Sequence, residues 1–225
     1  APSYGTDFES ERVVGDARPP SDIVITTKVQ LPGDEVADLP ARMRESLHAS
    51  LARLGRDHLD LYLLHTQLSP EDGSVSVPHN LTWSRYRDEV VPEFERLRAA
   101  GTIRAWGITG VGFPPQVLAA VTTDPRPDAA QVVVNALDMS GDMWTYGAVG
   151  EPRNPEIVET AAASGVAVIG IRAVAAGSLS AALDRPVDAG HPAAKDYARA
   201  APFRTLAAEM GESPAALAHR YAVSV

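Results

Sequence analysis

The sequence predicts an α/β protein with parallel strands, and a (β/α)8 barrel is the favoured architecture. Five apolar runs are nearly continuous rather than alternating, which is typical of parallel strands that are covered on both faces. Helical patterns stand between these runs, so that strand and helix alternate along the chain. No GxGxxG follows any of the runs, which disfavours the open doubly wound sheet that binds dinucleotides.

The predicted strands cover residues 22–28, 59–65, 103–109, 129–135 and 166–172. A barrel needs eight strands, so about five of the eight are readable. Two long segments, 66–88 and 173–204, follow the second and fifth strands, where a barrel keeps its functional loops. No linker or repeat divides the chain, which predicts a single domain over residues 1–225.

Helix signals fill the intervals between the strands. In the first interval, Gly55 is predicted to end a helix whose apolar residues recur at helical spacing. These apolar residues are Met43, Leu47, Leu51 and Leu54. Four further helices are predicted. The first ends at Gly101, and the second runs from a cap at Asn154 to Gly165. The third covers residues 203–211, and the fourth begins after a start signal at Ser213.

Composition restricts the function classes. The 225 residues are 45% hydrophobic, carry a net charge of −9 and contain no cysteine. The negative charge argues against nucleic acid as a partner, and the six histidines show no metal-binding spacing. No membrane span or signal peptide is readable, so we expect a soluble cytoplasmic protein, of bacterial origin on its composition, with its oligomeric state left open.

Polar residues close the strand patterns, and in a barrel that end carries the active site. These residues are Lys28, His65, Thr109, Asn135 and Arg172. Lys28 could be a strand end that reaches solvent, and His65 a hydrogen-bonded core residue. Together, directly after such apolar runs, the two indicate a site.

The motifs "APSYG", "ITTK", "LGRDHLDLYLLH", "LRAAGTIRAWGIT" and "AAQVVVN" follow in this order. With them the sequence resembles the aldo-keto reductases over residues 1–225. The resemblance implies a (β/α)8 barrel, a nicotinamide cofactor bound without a Rossmann turn, and hydride transfer to a small aldehyde or ketone. NADP is the expected cofactor, with NAD left open.

The resemblance implies three catalytic residues: Tyr4 as proton donor, Lys28 beside it, and His65 as hydrogen-bond partner of the substrate oxygen. A phenol is a weak acid at pH 7, and a neighbouring cation favours its phenolate form. The family's aspartate would fall two residues before Ala1. We therefore expect the chain to belong to a longer protein, whose two leading strands and final strand complete the barrel and its phosphate loop.

The cofactor positions match the family less closely. Thr109 and Gly110 stand where the family often has Ser-Asn, and glycine cannot supply the amide. Gln131 matches the glutamine that binds the nicotinamide carboxamide, against the alternative that it only opens a strand. Ile171 replaces the usual stacking aromatic, and Arg172 is a candidate for the pyrophosphate, or for a surface salt bridge.

Four residues complete the candidate set. Trp83 and Trp144 are predicted as apolar walls of a substrate site, or as loop anchors. Ser10 and Glu11 are predicted as the cap and first-turn acid of a helix that reaches Gly15.

Two alternatives to the reductase stay open. One is a regulatory protein of the same fold that binds the nicotinamide cofactor with little turnover, which the departures at Gly110 and Ile171 favour. The other is a sugar-phosphate isomerase-like barrel, which the match at Gln131 disfavours.

Overall fold

The five predicted strands form one parallel sheet in the computed structural model, which describes residues 4–31, 36–71, 80–137 and 152–225. Its strands are β1 (Thr26–Val29), β2 (Leu59–Leu64), β5 (Ile103–Thr109), β6 (Ala129–Val133) and β7 (Ala167–Ile171). A short parallel pair, β3 (Gln67–Ser69) and β4 (Asn80–Thr82), lies between β2 and β5 in the chain.

Helices connect and flank the strands. In chain order they are α1 (Glu9–Asp16), α2 (Leu39–Leu54), α3 (Trp83–Arg85), α4 (Val91–Ala99), α5 (Pro114–Thr122), α6 (Asn154–Ala163), α7 (Pro192–Arg199), α8 (Ala201–Glu209) and α9 (Pro214–Ser224). One π-helical turn, Tyr86–Val90, joins α3 to α4. Within the described ranges, no helix combines the length and the apolarity that a membrane span requires.

The strand order in the sheet is the order in the chain, β1-β2-β5-β6-β7, with every pair parallel. Each connection therefore leads to the neighbouring strand in the sheet, and always in the same direction across the sheet. A doubly wound sheet would reverse direction once, which this sheet does not do over the described strands. The order is that of a (β/α)8 barrel wall, as predicted from the sequence.

The strand ends differ from the prediction by a few residues. β1 begins at Thr26 instead of 22, since the N–H of Ile25 is bonded to the side chain of Asp60, through Oδ2 at 2.7 Å, and not to a backbone carbonyl. β2 ends at Leu64 and β6 at Val133, so that His65 and Asn135 follow their strands.

The main core lies between the sheet and the helices. Trp106 on β5 and Phe94 on α4 are fully buried and stack with ring centroids 4.9 Å apart and 6° between their planes. Tyr62 on β2 meets Phe94 edge-on at 5.8 Å. These three rings join two strands to the helix that crosses between them.

Two local helix signals are confirmed and one is wrong. Gly55 ends α2 with a left-handed φ of 63°, and Ser213 caps α9 by accepting a hydrogen bond from Ala216 N–H at 3.2 Å. Asn154, predicted as a cap, is the first residue of α6, and Arg153 stands before it. The Asn154 amide instead donates to the Val133 carbonyl at 2.9 Å, because the end of β6 leaves that oxygen available.

The three-ring cluster predicts a large stability loss for Phe94→Ala. Removing a fully buried aromatic costs about 3–5 kcal/mol, because its packing and burial are lost and the cavity only partly collapses. Urea unfolding of the full-length protein, followed by tryptophan fluorescence, measures this change. Val223→Ala, at a position that is 83% exposed, is the control and should change the free energy of unfolding by less than about 0.5 kcal/mol. A loss below about 1 kcal/mol for Phe94→Ala would contradict the packing argument.

Candidate active site

Tyr4 and Lys28 are in direct contact. The Lys28 ammonium on β1 donates a hydrogen bond to the Tyr4 hydroxyl, with 3.2 Å between Nζ and Oη. The chain reverses at Gly5, whose φ is 78°, and a Cβ there would lie 2.7 Å from Glu9 Oε2. Glycine is therefore required for Tyr4 to fold back over the first turn of α1, where the Tyr4 carbonyl accepts from Ser10 N–H at 3.3 Å.

His65 also lies next to Tyr4. Its backbone N–H continues the β1–β2 pairing by donating to the Val29 carbonyl at 2.7 Å. Its ring stands edge-on to the Tyr4 ring, with centroids 6.1 Å apart. The structure thus brings together Tyr4, Lys28 and His65, from three separate sequence motifs.

Next to Tyr4, burial and charge favour the neutral form of the His65 ring beside the Lys28 ammonium. Burial, and secondarily the charge of Lys28, lower the pKa of His65 from 6.5 to about 4. His65 is therefore neutral at pH 7, and its Nδ1 is buried without a hydrogen-bond partner in the described part of the chain. The ammonium of Lys28 carries the positive charge next to the phenol.

A residue that sequence reasoning missed, Thr66, holds these strand ends together. Its buried hydroxyl accepts from Leu31 N–H at 2.8 Å and donates to the Leu31 carbonyl at 3.1 Å. The loop after Lys28 is thereby tied to the residue after His65. A threonine after a strand is too common a feature to have been singled out from sequence.

Thr109 and Gln131 lie opposite each other where β5 pairs with β6. Both are buried, and Gln131 Oε1 has no hydrogen-bond partner among the described residues. Gly110 N–H donates to the Gln131 carbonyl at 2.6 Å, and a Cβ on Gly110 would lie 3.0 Å from that oxygen and from Val132 Cγ2. Gly110 can contribute backbone only, while the free oxygen of Gln131 fits a primary amide donor such as a carboxamide.

Arg172 directly follows β7 and adopts a left-handed φ of 59°. Ala175 and Ala176, in the short 3-10 turn Ala175–Gly177, also have positive φ, at 48° and 52°. Ile171, the last residue of β7, is half-buried. A pyrophosphate contact for Arg172 stays a prediction.

Of the two tryptophans predicted for the substrate site, Trp83 lies within the described residues and Trp144 does not. Trp83 begins α3, packs against the main core and lies 5.5 Å from the Tyr86 ring. Trp144 lies outside the described residues. A substrate role for either stays a prediction. Over the described ranges, no group of three potential ligands is placed to hold a metal ion.

For the first helix, the prediction is confirmed for Glu11 as a first-turn acid and is wrong for Ser10 as the cap. Phe8 is the N-cap position of α1, with no side-chain cap, and Ser10 lies inside the helix. Glu11 lies in the first turn of α1, as predicted, and it is buried, with its side chain bonded to α2 and β1. The helix continues past Gly15, where any Cβ would overlap the Arg53 carbonyl and force α1 away from α2. A glutamate in a polar stretch looks exposed in sequence, so only the packing of α1 on α2 shows its burial.

The sheet order and these residues agree with a comparison to known families. A family model described as the aldo/keto reductase family matches residues 1–225, and the chain belongs to this family. Its structural relatives are (β/α)8 barrels, and the described strands are a part of such a parallel sheet.

Individual relatives are more distant. The aldo-keto reductase AKR11C1 from Bacillus halodurans, in its apo form, is 27% identical with a TM-score of 0.51, covering 80% of this chain and 50% of that one. The glycerol dehydrogenase AKR11B4 from Gluconobacter oxydans is 23% identical with a TM-score of 0.65, covering 96% and 64%. An aldo-keto reductase from Klebsiella pneumoniae in complex with NADPH is 22% identical with a TM-score of 0.59, covering 92% and 59%.

A curated relative, the uncharacterized oxidoreductase YqkF of Bacillus subtilis, is 30% identical over 110 residues, which are 45% of this chain and 31% of that protein. The chain therefore spans about a third of this relative and, as its coverage of the solved structures shows, one half to two thirds of theirs.

The buried position of His65 predicts that it stays neutral down to mildly acidic pH. With a pKa of about 4 in the folded protein and 6.5 as the reference, the unfolded chain binds more protons in between. The His65 contribution to stability is thus present above pH 6.5 and is lost as the pH falls toward 4. An NMR titration of the histidine Cε1–H signals, with the His65 signal assigned by its loss in His65→Asn, should place its midpoint near pH 4. A midpoint near 6.5 would contradict the burial argument.

Proposed function

We propose that the protein containing this chain reduces small aldehydes or ketones with NADPH, and that Tyr4 donates the proton. The observation that carries the proposal is the 3.2 Å contact between the Tyr4 hydroxyl and the Lys28 ammonium, beside a neutral His65. Membership of the aldo-keto reductase family supports it. The NADP and NADPH complexes of the Klebsiella pneumoniae relatives support the choice of cofactor.

The cofactor, when bound, supplies the hydride. Gln131 would hold its carboxamide through the buried Oε1 that lacks a partner among the described residues. Thr109, opposite Gln131 on β5, would add a hydroxyl contact, and Arg172 would meet the pyrophosphate. Gly110 has no side chain, and a Cβ there would lie 3.0 Å from the Gln131 carbonyl oxygen, so in this chain Gln131 and Thr109 would provide the contacts to the nicotinamide carboxamide.

The proton is handled by the chain's own residues. Negative charge develops on a carbonyl oxygen as it is reduced, and the Tyr4 hydroxyl transfers its proton to that oxygen. The phenolate that remains is stabilised by the adjacent Lys28 ammonium. Neutral His65 has one ring N–H, which can donate to the carbonyl oxygen and orient it. Acid catalysis of this kind contributes about 10²- to 10⁴-fold.

Tyr4→Phe in the full-length protein should lower the rate of carbonyl reduction by at least about 10²-fold and leave NADPH binding unchanged, because only a transition-state interaction is removed. The measurements are steady-state kinetics with a simple aldehyde and a fluorescence titration with NADPH. Tyr62→Phe is the matched control: it removes a hydroxyl from β2 that bonds the Met43 carbonyl at 3.4 Å in the core, and it should keep turnover.

The same experiment separates the reductase from a regulatory cofactor-binding protein. A regulatory protein would bind NADPH saturably, while its turnover would be slow in the parent and unchanged in Tyr4→Phe. Fast turnover that survives Tyr4→Phe would move the acid role to another residue.

Gln131→Met tests the carboxamide contact. The change keeps the length of the side chain and removes the buried acceptor, so we expect the Kd for NADPH to rise about 3- to 10-fold, the effect of one lost hydrogen bond. Gln116→Met, on α5, is the control and should leave Kd unchanged. An unaltered Kd in Gln131→Met would show that this side chain does not hold the cofactor.

A further inference from the structure

The most completely bonded buried charge in the described residues near Tyr4 is the Glu11 carboxylate. Its Oε1 accepts from the Thr27 hydroxyl at 2.5 Å and from the Ser50 hydroxyl at 3.0 Å. Its Oε2 accepts from Arg53, whose Nε and Nη2 both lie at 2.7 Å. One side chain on α1 therefore binds β1 through Thr27 and α2 through Ser50 and Arg53.

These partners lie next to the Tyr4–Lys28 pair. Thr27 is the residue before Lys28 on β1, so the bond to Glu11 attaches α1 to the strand that carries the ammonium. Tyr4 is tied to the start of the same helix, since its carbonyl accepts from Ser10 N–H. The path from the phenol to the ammonium thus runs through α1, Glu11 and Thr27.

Arg53 adds a second connection to the same segment. Its guanidinium lies over the Phe8 ring, 4.3 Å from the ring centroid, while it also binds Glu11. Phe8 stands between Tyr4 and α1, in the turn that follows Gly5. The turn that carries Tyr4 is therefore held by two contacts: the hydrogen bond from Ser10 N–H to the Tyr4 carbonyl, and the packing of Arg53 on the Phe8 ring.

Stability alone does not account for this arrangement. A buried ion pair loses so much hydration that replacing it by apolar side chains is often neutral or stabilising. Such a pair does impose a unique geometry, because each oxygen and each donor must meet its partner within hydrogen-bond range. The geometry imposed here is the placement of α1 against Thr27, and through it of Tyr4 against Lys28.

We infer that Glu11 is a positioning residue: its buried contact with Thr27 sets the distance between the Tyr4 hydroxyl and the Lys28 ammonium. The inference rests on the proposed function, since that distance matters for turnover only if Tyr4 is the proton donor. Glu11 touches no reacting atom, and it acts through the helix and strand that it joins.

Two variants of the full-length protein test this. Thr27→Val removes the bond to β1 while the Glu11–Arg53 ion pair and a β-branched strand residue remain, so folding should be preserved. Glu11→Gln weakens the whole group. We expect kcat to fall at least about tenfold in Glu11→Gln and less in Thr27→Val, because small displacements of catalytic groups are costly. The Kd for NADPH should stay at the parental value in both.

Glu93→Gln is the matched control. Glu93 is also buried and accepts from two arginines, Arg44 at 3.1 Å and Arg96 at 2.8 Å, but it joins α2 to α4. It should lower Tm in the manner of Glu11→Gln while kcat remains within about twofold of the parent. A loss of kcat in Glu93→Gln equal to that in Glu11→Gln would reduce Glu11 to a general stability role and overturn the inference.

A spectroscopic measurement makes the test independent of turnover. With 3-fluorotyrosine incorporated, the ¹⁹F signal that is missing in Tyr4→Phe belongs to Tyr4. This signal should move in Thr27→Val and Glu11→Gln and should stay in place in Glu93→Gln. A signal that stays in place in the first two variants overturns the positioning role, even where Tyr4→Phe abolishes turnover. Failure of the proposed function would appear separately, as turnover that Tyr4→Phe retains.

Discussion

The parallel pairing of β1 with β2 is the constraint on which the site depends. It places Lys28 opposite Leu63 and brings the backbone of His65 against Val29. Parallel strands end at the same edge of a sheet, so a lysine and a histidine from distant parts of the chain meet there. Neither residue could reach the other if the strands ran in opposite directions with the same sequence.

At the other end of the strands, the same hydrogen-bonding arrangement occurs twice. Asp60 accepts the N–H of Ile25, just before the preceding strand, and also binds Arg104. Asp128, before β6, accepts the N–H of Trp106 on β5 and also binds Arg98. At each of these positions a carboxylate accepts from a backbone N–H that is not bonded to a neighbouring strand's carbonyl, and an arginine compensates the charge of the carboxylate. The strands are thereby held in register at the end remote from Tyr4.

The charge distribution at the site contrasts with that of the chain. The protein carries a net charge of −9, yet the group around Tyr4 contains the Lys28 ammonium and an uncharged His65. The buried carboxylate of Glu11, on α1, is bonded to Thr27, Ser50 and Arg53. Within the described residues, the hydrogen-bond partner of the Lys28 ammonium is the Tyr4 hydroxyl.

The sequence by itself determined the features that depend on near neighbours: five apolar strands, the stop at Gly55 and the cap at Ser213. Backbone conformation and local hydrogen bonds set these, and both are visible within a few residues. Asn154 was misjudged because its amide bonds a carbonyl on β6, and Ser10 because the helix begins one residue before it. The resemblance to a known family already implied that Lys28 lies beside Tyr4, and the structure adds the 3.2 Å contact between them. Only the tertiary structure decided the burial of Glu11 and the neutral state of His65. Desolvation and long-range hydrogen bonds cause both, and these arise from groups that the fold, not the sequence order, brings together.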